Sequence, residues 1–167
     1  MFVFLIFFTL NTVTQAQSWT QLTTTGTPPS FRIYHTAVYN PKDNQMIIYA
    51  GFGNSSTLGD VWVLGNPNGL GGSPVWTQLT PTGNTPTPRY AHTAVFDTTN
   101  KIMTIFGGSP DGSNFLNDIH VYNGLLNSWT KITTTGSNPI MRLSHSAVYN
   151  QVNNQMIIFG GFGGNNA

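Results

Sequence analysis

The residues best equipped for chemistry come in three matched sets. Arg32 and His35, Arg89 and His92, and Arg142 and His145 share one internal spacing, and the histidines recur 57 and then 53 residues along the chain. Three guanidiniums at one level could grip carboxylates or acidic sugars through paired hydrogen bonds. Three imidazoles could converge on a metal. The regular return argues for another use. Residues that come back once per unit sit on a circle about an axis and face different ways, and no neighbouring carboxylate is placed to orient a metal-bound ring. The arginines are therefore expected to bond loop carbonyls, or the Asp60 and Asp118 carboxylates across units, because a buried charge persists only when paired. The histidines are expected to be hydrogen-bonded within the packing, so no catalytic, cofactor-binding or metal site is assigned.

The other candidates reduce in the same way. All five acidic residues are aspartates, and two of them belong to the repeat, so a catalytic carboxylate pair is hard to assemble. No Ser-His-Asp set stands out from the repeat. The absence of cysteine removes disulfides, thiolate metal sites and thiol nucleophiles together. The glycines Gly51, Gly107, Gly108, Gly160 and Gly161 read as turns needing positive φ. None is followed by a helix or a Lys-Ser/Thr pair that would cradle phosphate. Trp19, Trp76 and Trp129 could stack sugars, but their recurrence suits filling the space between units. His120 stands where the first unit has Trp62 and is expected to be an exposed, variable position. Asn54-Ser55-Ser56 is a glycosylation acceptor in an expected loop, relevant in a eukaryotic secretory route.

The elements that must hold these residues are short strands. Trp-Thr precedes each set at Trp19, Trp76 and Trp129, and a run ending in glycine follows at Met46–Gly51, Ile102–Gly108 and Met156–Gly161. Ser18–Leu22 alternates polar and apolar residues, as a strand with one packed face does. Thr23–Pro29 reads as a Thr/Gly/Pro connection without regular pairing. His35–Tyr39, Met46–Tyr49, Asp60–Leu64 and Val75–Leu79 follow as strands, and the second unit repeats them as His92–Phe96, Ile102–Phe106, Asp118–Tyr122 and Ser128–Ile132. Four short antiparallel strands at this period make one blade of a propeller.

These residues resemble the kelch repeat family. The carriers are Pro-x-x-Arg-x-x-His-[Thr/Ser]-Ala-Val, then [Ile/Phe/Tyr]-[Gly/Ala]-Gly, then [Gly/Asn]-Asp-[Val/Ile]-x-Val, then Trp-Thr-[Gln/Lys]-[Leu/Ile], linked in order from Ser18 to Gly161. The resemblance implies an all-β, partial kelch-type β-propeller, with about two full four-stranded blades plus flanking strands. It places the His-x-Ala-Val strand innermost and the Trp strand outermost, with the first Trp strand completing the last blade. Ala50 departs from the double glycine, so a tighter or rearranged turn is expected there. The units run roughly 18–75, 76–128 and 129–167. The last lacks its third and fourth strands, which implies a fragment of a longer propeller, closure by self-association, or a short open stack.

Composition limits the partners. At 39% hydrophobic and 13% aromatic the chain carries too much apolar surface for disorder, despite 18 glycines and 10 prolines. A net charge of +1 with dispersed basic residues offers no nucleic-acid surface. Phe2–Leu10 is too short to span a bilayer, and with Thr14-Gln15-Ala16 behind it residues 1–16 read as a secretory signal peptide lacking a basic start. The mature chain, 17–167, then has no membrane span and is exported. The expected function is a secreted, non-catalytic interaction module, binding a protein or glycan through variable loops such as Thr80–Pro88 and Ser109–Asn117. The alternative is a piece of a carbohydrate oxidase resembling galactose oxidase, whose copper site needs a cysteine that this sequence lacks.

Overall fold

The computed structural model describes residues 3–6 and 19–164. No residue among them is helical. The first blade is a four-stranded antiparallel sheet of β3 (Thr36–Asn40), β4 (Gln45–Phe52), β5 (Thr57–Gly65) and β6 (Val75–Leu79), paired in chain order. The second repeats it with β8 (Thr93–Asp97), β9 (Ile102–Phe106), β10 (Ile119–Asn123) and β11 (Ser128–Ile132). The third unit supplies β13 (Ser146–Asn150) and β14 (Gln155–Phe159) as a two-stranded ladder. The inner strands β3, β8 and β13 adjoin one another in that order, so the chain builds successive blades of an all-β, kelch-type partial propeller.

Alternation along the strands explains how blades stack. The face of the first blade carrying Val38, Ile47, Tyr49, Val61 and Val63 meets Met103, Ile105, Tyr122 and Trp129 of the second in one buried cluster. The opposite face of the first blade groups Ile48, Trp62, Leu64 and Trp76. Each sheet is thus apolar on both sides, which is why the β4 sequence reads as a continuous apolar run.

The connections from outer to inner strands are more ordered than their composition suggests. Thr23–Pro29 does pair: the Thr25 amide donates to the Pro74 carbonyl at 2.8 Å and the Trp76 amide to the Thr25 carbonyl at 3.0 Å, in a parallel bridge. One unit later β7 (Thr82–Gly83) runs parallel to β11 as a fifth strand. The reason is the open edge of the outer strand, whose free backbone groups demand partners. Gly26 and Gly83, at φ 77° and 83°, let the chain lie against Trp76 and Trp129 where a Cβ would collide with their carbonyls.

The first Trp strand is placed differently from the expectation. β2 (Trp19–Leu22) pairs antiparallel with β1 (Val3–Ile6), not with the third unit. That unit adds to β13 and β14 only the short antiparallel pair β12 (Arg142–Leu143) and β15 (Phe162–Gly163), and no counterpart of β5 for β2 to extend onto occurs among the described residues. The rest of the expected signal segment lies outside the described residues.

Candidate interaction surface

Each Arg-x-x-His phrase makes the same local object. The arginine reaches back to hold its own approach: Nε donates to the carbonyl two residues earlier, at 3.2 Å for Arg32 to Ser30, 3.1 Å for Arg89 to Thr87 and 3.2 Å for Arg142 to Ile140. One terminal nitrogen donates to the carbonyl at the glycine turn, Ala50 at 3.0 Å, Gly107 at 3.0 Å and Gly160 at 2.8 Å. In the two full blades the guanidinium also forks onto an aspartate, Arg32 on Asp60 at 2.7 and 2.9 Å and Arg89 on Asp118 at 2.6 and 2.9 Å. These pairs lie within one unit and do not cross to the next. The distance between first and third strands of a single sheet suits an arginine's reach, so the pair clamps its own blade. Arg142 has no carboxylate partner among the described residues.

His120, expected to be exposed, is 4% exposed and belongs to this clamp. Its Nε2 lies 3.0 Å from Asp118 Oδ2 and its Nδ1 3.2 Å from the Asn84 carbonyl. In the first blade the Trp62 indole N–H donates to Asp60 Oδ2 at 2.5 Å. Trp62 and His120 therefore do one job, a ring nitrogen bonded to the arginine-bound aspartate. The shared spacing, two residues after Asp60 and Asp118, is the signal available in the sequence, since indole and imidazole can each offer a ring nitrogen to that carboxylate. Although burial pushes the Asp118 carboxyl up, bonds from Arg89 and His120 hold it far below the usual carboxylate range.

The links between blades are backbone and histidine bonds. The residue two after each arginine has a left-handed backbone: Tyr34 at φ 55°, Ala91 at 53° and Ser144 at 55°. This turn aims an amide at the preceding blade, so the Ala91 amide donates to the Tyr34 carbonyl at 2.9 Å and the Ser144 amide to the Ala91 carbonyl at 2.8 Å. Gly51 and Gly108 donate across to the Arg89 and Arg142 carbonyls at 2.9 and 2.8 Å. His92 Nε2 shares a 2.7 Å bond with Thr36 Oγ1, and His145 Nε2 a 2.6 Å bond with Thr93 Oγ1. Burial, reinforced by Arg89, lowers the His92 pKa to about 3; burial and Arg142 lower that of His145 to about 4. His35 is exposed.

The remaining expected positions divide. Trp129 fills the space between blades, its ring 4.9 Å from that of Tyr49. Trp76 is buried on the opposite face of the first blade. Trp19, expected to be packed, is 66% exposed, because β2 pairs with β1 and not within a full blade. Ala50 keeps the turn of its glycine counterparts, with φ 58° against 65° at Gly107 and 71° at Gly160. Alanine bears the left-handed strain there, and the β4–β5 ladder shifts register at this residue, between Tyr49 and Gly51. Asn54 is exposed in a bend.

What the internal bonds leave over is apolar and lies at the arginine end. Phe31 and Tyr34 are exposed there. The Tyr34 and Tyr90 rings are 6.0 Å apart, and Phe52 meets Tyr90 edge-on at 5.5 Å. Beside them the 109–117 loop is held by its own residues. Asp111 accepts from the Ser113 and Asn114 amides at 2.9 and 2.7 Å, and the Thr57 hydroxyl donates to the Pro110 carbonyl at 2.6 Å. An aromatic patch framed by polar loops, with Asp111 the one charge of the 109–117 loop, can bind; no group of three His, Cys, Asp or Glu able to hold a metal occurs among the described residues.

Residues 73–167 match the KLHDC2/KLHL20/DRC7 Kelch-repeats domain family. The chain belongs to the kelch repeat family. Among its relatives are the Rho GTPase-activating protein gacHH of Dictyostelium discoideum, 40% identical over 141 residues, 80% of this chain and 8% of that protein. Host cell factor 2 of Homo sapiens is 30% identical over 150 residues, 82% of this chain and 18% of that protein. The multiple epidermal growth factor-like domains protein 8 of Rattus norvegicus is 28% identical over 161 residues, 89% of this chain and 5% of that protein. The kelch chain thus spans less than a fifth of the length of each of these relatives. No helix among the described residues is long and apolar enough to cross a membrane.

Proposed function

We propose that this kelch chain is part of an exported, non-catalytic module that captures a protein partner on the arginine end of its blades. One observation carries the reading. The arginines are consumed inside their own blades and His92 and His145 in bonds to the preceding one, while Phe31, Tyr34 and Tyr90 gather outside them beside the 109–117 loop. Aromatic side chains supply large contact area at little entropic cost, which suits protein recognition. The left-handed backbone of Tyr34 recurs at Ala91 and Ser144 as part of the blade-to-blade hydrogen bonding, and it fixes where the Tyr34 ring stands.

Completion of the ring by further blades or by a second copy belongs to the same proposal. The outer face of β13 and β14 presents Val148, Ile157 and Phe159 to solvent, and the positions of Val148 and Phe159 are sealed in the preceding blades, by Val38 and Val95 and by Tyr49 and Phe106. Export rests on the leader read in residues 1–16, and sequencing the amino terminus of secreted product should find a start near Gln17. The binding reading is tested by placing a photo-crosslinking amino acid at Tyr34 and, separately, at Leu125, which is exposed in the turn at the other end of the second blade. Crosslinks to a discrete protein from Tyr34 and not from Leu125 are expected. Equal labelling at both positions would defeat the assignment of the arginine end.

A further inference from the structure

The first two blades meet tightly at their inner strands and part toward the rim, where a cleft of about 360 Å³ opens between them. Its floor is aliphatic, made by Ile47, Val63 and Leu79 of the first blade. Gln45 and Thr77 line it on the same sheet face as Ile47 and Val63, and among the described residues neither side chain has a hydrogen-bond partner. Over the opening Lys101 of the second blade bonds Asp43 of the first at 2.6 Å. Those two are the charged groups lining the cleft, so it is formally neutral.

Lys101 is an unusual residue for its place. It occupies a left-handed turn position at φ 57°, where the equivalent turns have Asn44 at 49° and Asn154 at 52°. Asparagine tolerates that conformation and lysine does so less readily. At the next interface the residues corresponding to Asp43 and Lys101 are Asn100 and Asn154, and no ion pair joins them. The strained charge is confined to the one interface that carries this cleft.

We propose that this inter-blade cleft binds a neutral sugar residue. A volume near the lower end of ligand-site sizes fits a single ring. The aliphatic floor suits the C–H face of a pyranose, and the free amide and hydroxyl of Gln45 and Thr77 suit its hydroxyls. An adjacent carboxylate and ammonium match a vicinal diol, one hydroxyl donating to Asp43 and its neighbour accepting from Lys101. A charged ligand gains at one of that pair only what it loses at the other. The site is separate from the aromatic end and stands whether or not that surface binds protein.

The test is nitrogen-15 NMR of the full chain titrated with glucose, galactose, mannose and N-acetylglucosamine, each free and as its methyl glycoside. Shifts at Gln45, Gly65, Thr77 and Gly124 saturating in the millimolar range are expected. Preference for the methyl glycoside assigns the site to a residue within a glycan, and preference for the free sugar to a soluble one. Gly65→Leu fills the cleft without backbone strain, since a Cβ there meets only the Val75 carbonyl at 3.9 Å. It should weaken binding at least tenfold with an unchanged melting curve. Lys101→Asn, the residue of the equivalent turns, should weaken it several-fold while folding normally. The proposal is overturned if no sugar moves these signals, if Gly65→Leu leaves the shifts intact, or if acetamide at equal concentration produces the same pattern.

Discussion

The second and third blades carry the same words and differ in what surrounds them. Phe106 and Phe159 end equivalent strands; the first is 2% exposed and the second 80%. Val95 and Val148 occupy one position on successive inner strands at 7% and 62%. Arg89 is fully buried on Asp118, while Arg142 keeps the Gly160 carbonyl and has no described carboxylate. The difference shows that the motif is an offer of contacts. Burial comes from the neighbouring blade, and the charge clamp comes from the third strand of the same blade. This is the nearest-neighbour logic of repeat architectures, with stability arising at interfaces.

The sharpest way to break the comparison is to remove both arginines in turn. Arg89→Ala leaves Asp118 deprived of its forked partner in a mostly buried site, and should cost about 3–5 kcal/mol. Arg142→Ala gives up hydrogen bonds to carbonyls and should cost about 1 kcal/mol. Urea unfolding of the two variants measures the gap directly. Equal losses would mean that Arg142 has a partner outside the described contacts and that the third blade is more complete than it looks.

The apolar faces give the next contrast. Phe106→Ala should cost about 3–5 kcal/mol, combining lost transfer energy with a cavity. Phe159→Ala should fall within about 0.5 kcal/mol, as for an exposed position. If Phe159→Ala proves as damaging as Phe106→Ala in dilute solution, a second copy or further blade already covers that face. The concentration dependence of the melting temperature would separate these two.

Much of this was legible beforehand, and for a physical reason. Alternation and glycine turns specify strands locally, and three-fold recurrence specifies stacking, so blades, the inner strand order and the arginine–aspartate partnership could be read from residue types. The direction of that partnership could not, because spacing along the chain does not say whether Asp60 faces Arg32 or a residue of the next blade. His120 was misplaced for a related reason: its role is defined by Asp118 and the Asn84 carbonyl, which only the fold brings together. The left-handed turn at Tyr34, Ala91 and Ser144 left no trace either, since none of those residues favours it. Tertiary hydrogen bonds impose it. The rim cleft likewise depends on how far two sheets diverge, which no local pattern records.

A smaller effect follows from the histidines between blades. His92 and His145, with folded pKa values of about 3 and about 4, stay neutral in the fold while the unfolded chain takes up protons near 6.5. Stability is therefore fully present above pH 6.5 and falls as pH is lowered, by up to about 1.4 kcal/mol per pH unit for each histidine. The window from pH 6.5 to 5 isolates them from the aspartates, which titrate lower. His92→Gln should flatten that slope by one proton's worth in urea titrations at stepped pH, whereas replacing exposed His35 should change it less. A slope unaffected by His92→Gln would place the acid sensitivity elsewhere.

The finest test concerns one methyl group. Ala50 and Gly107 occupy the same left-handed turn, facing the second and third blades respectively. Ala50→Gly removes left-handed strain of roughly 1 kcal/mol but also deletes a buried methyl worth about 0.8 kcal/mol, so its net effect should stay within about 0.5 kcal/mol. The reverse change is not its mirror image. A Cβ at Gly107 would lie 2.7 Å from the Arg142 carbonyl, so Gly107→Ala must push the third blade outward or strain its arginine turn. Its cost, about 1–3 kcal/mol by analogy with other overpacked sites, would show that the first interface has adjusted to a side chain that the second cannot hold. If both substitutions prove neutral, the blades slide enough to absorb a methyl group, and the interface is looser than its hydrogen bonds imply.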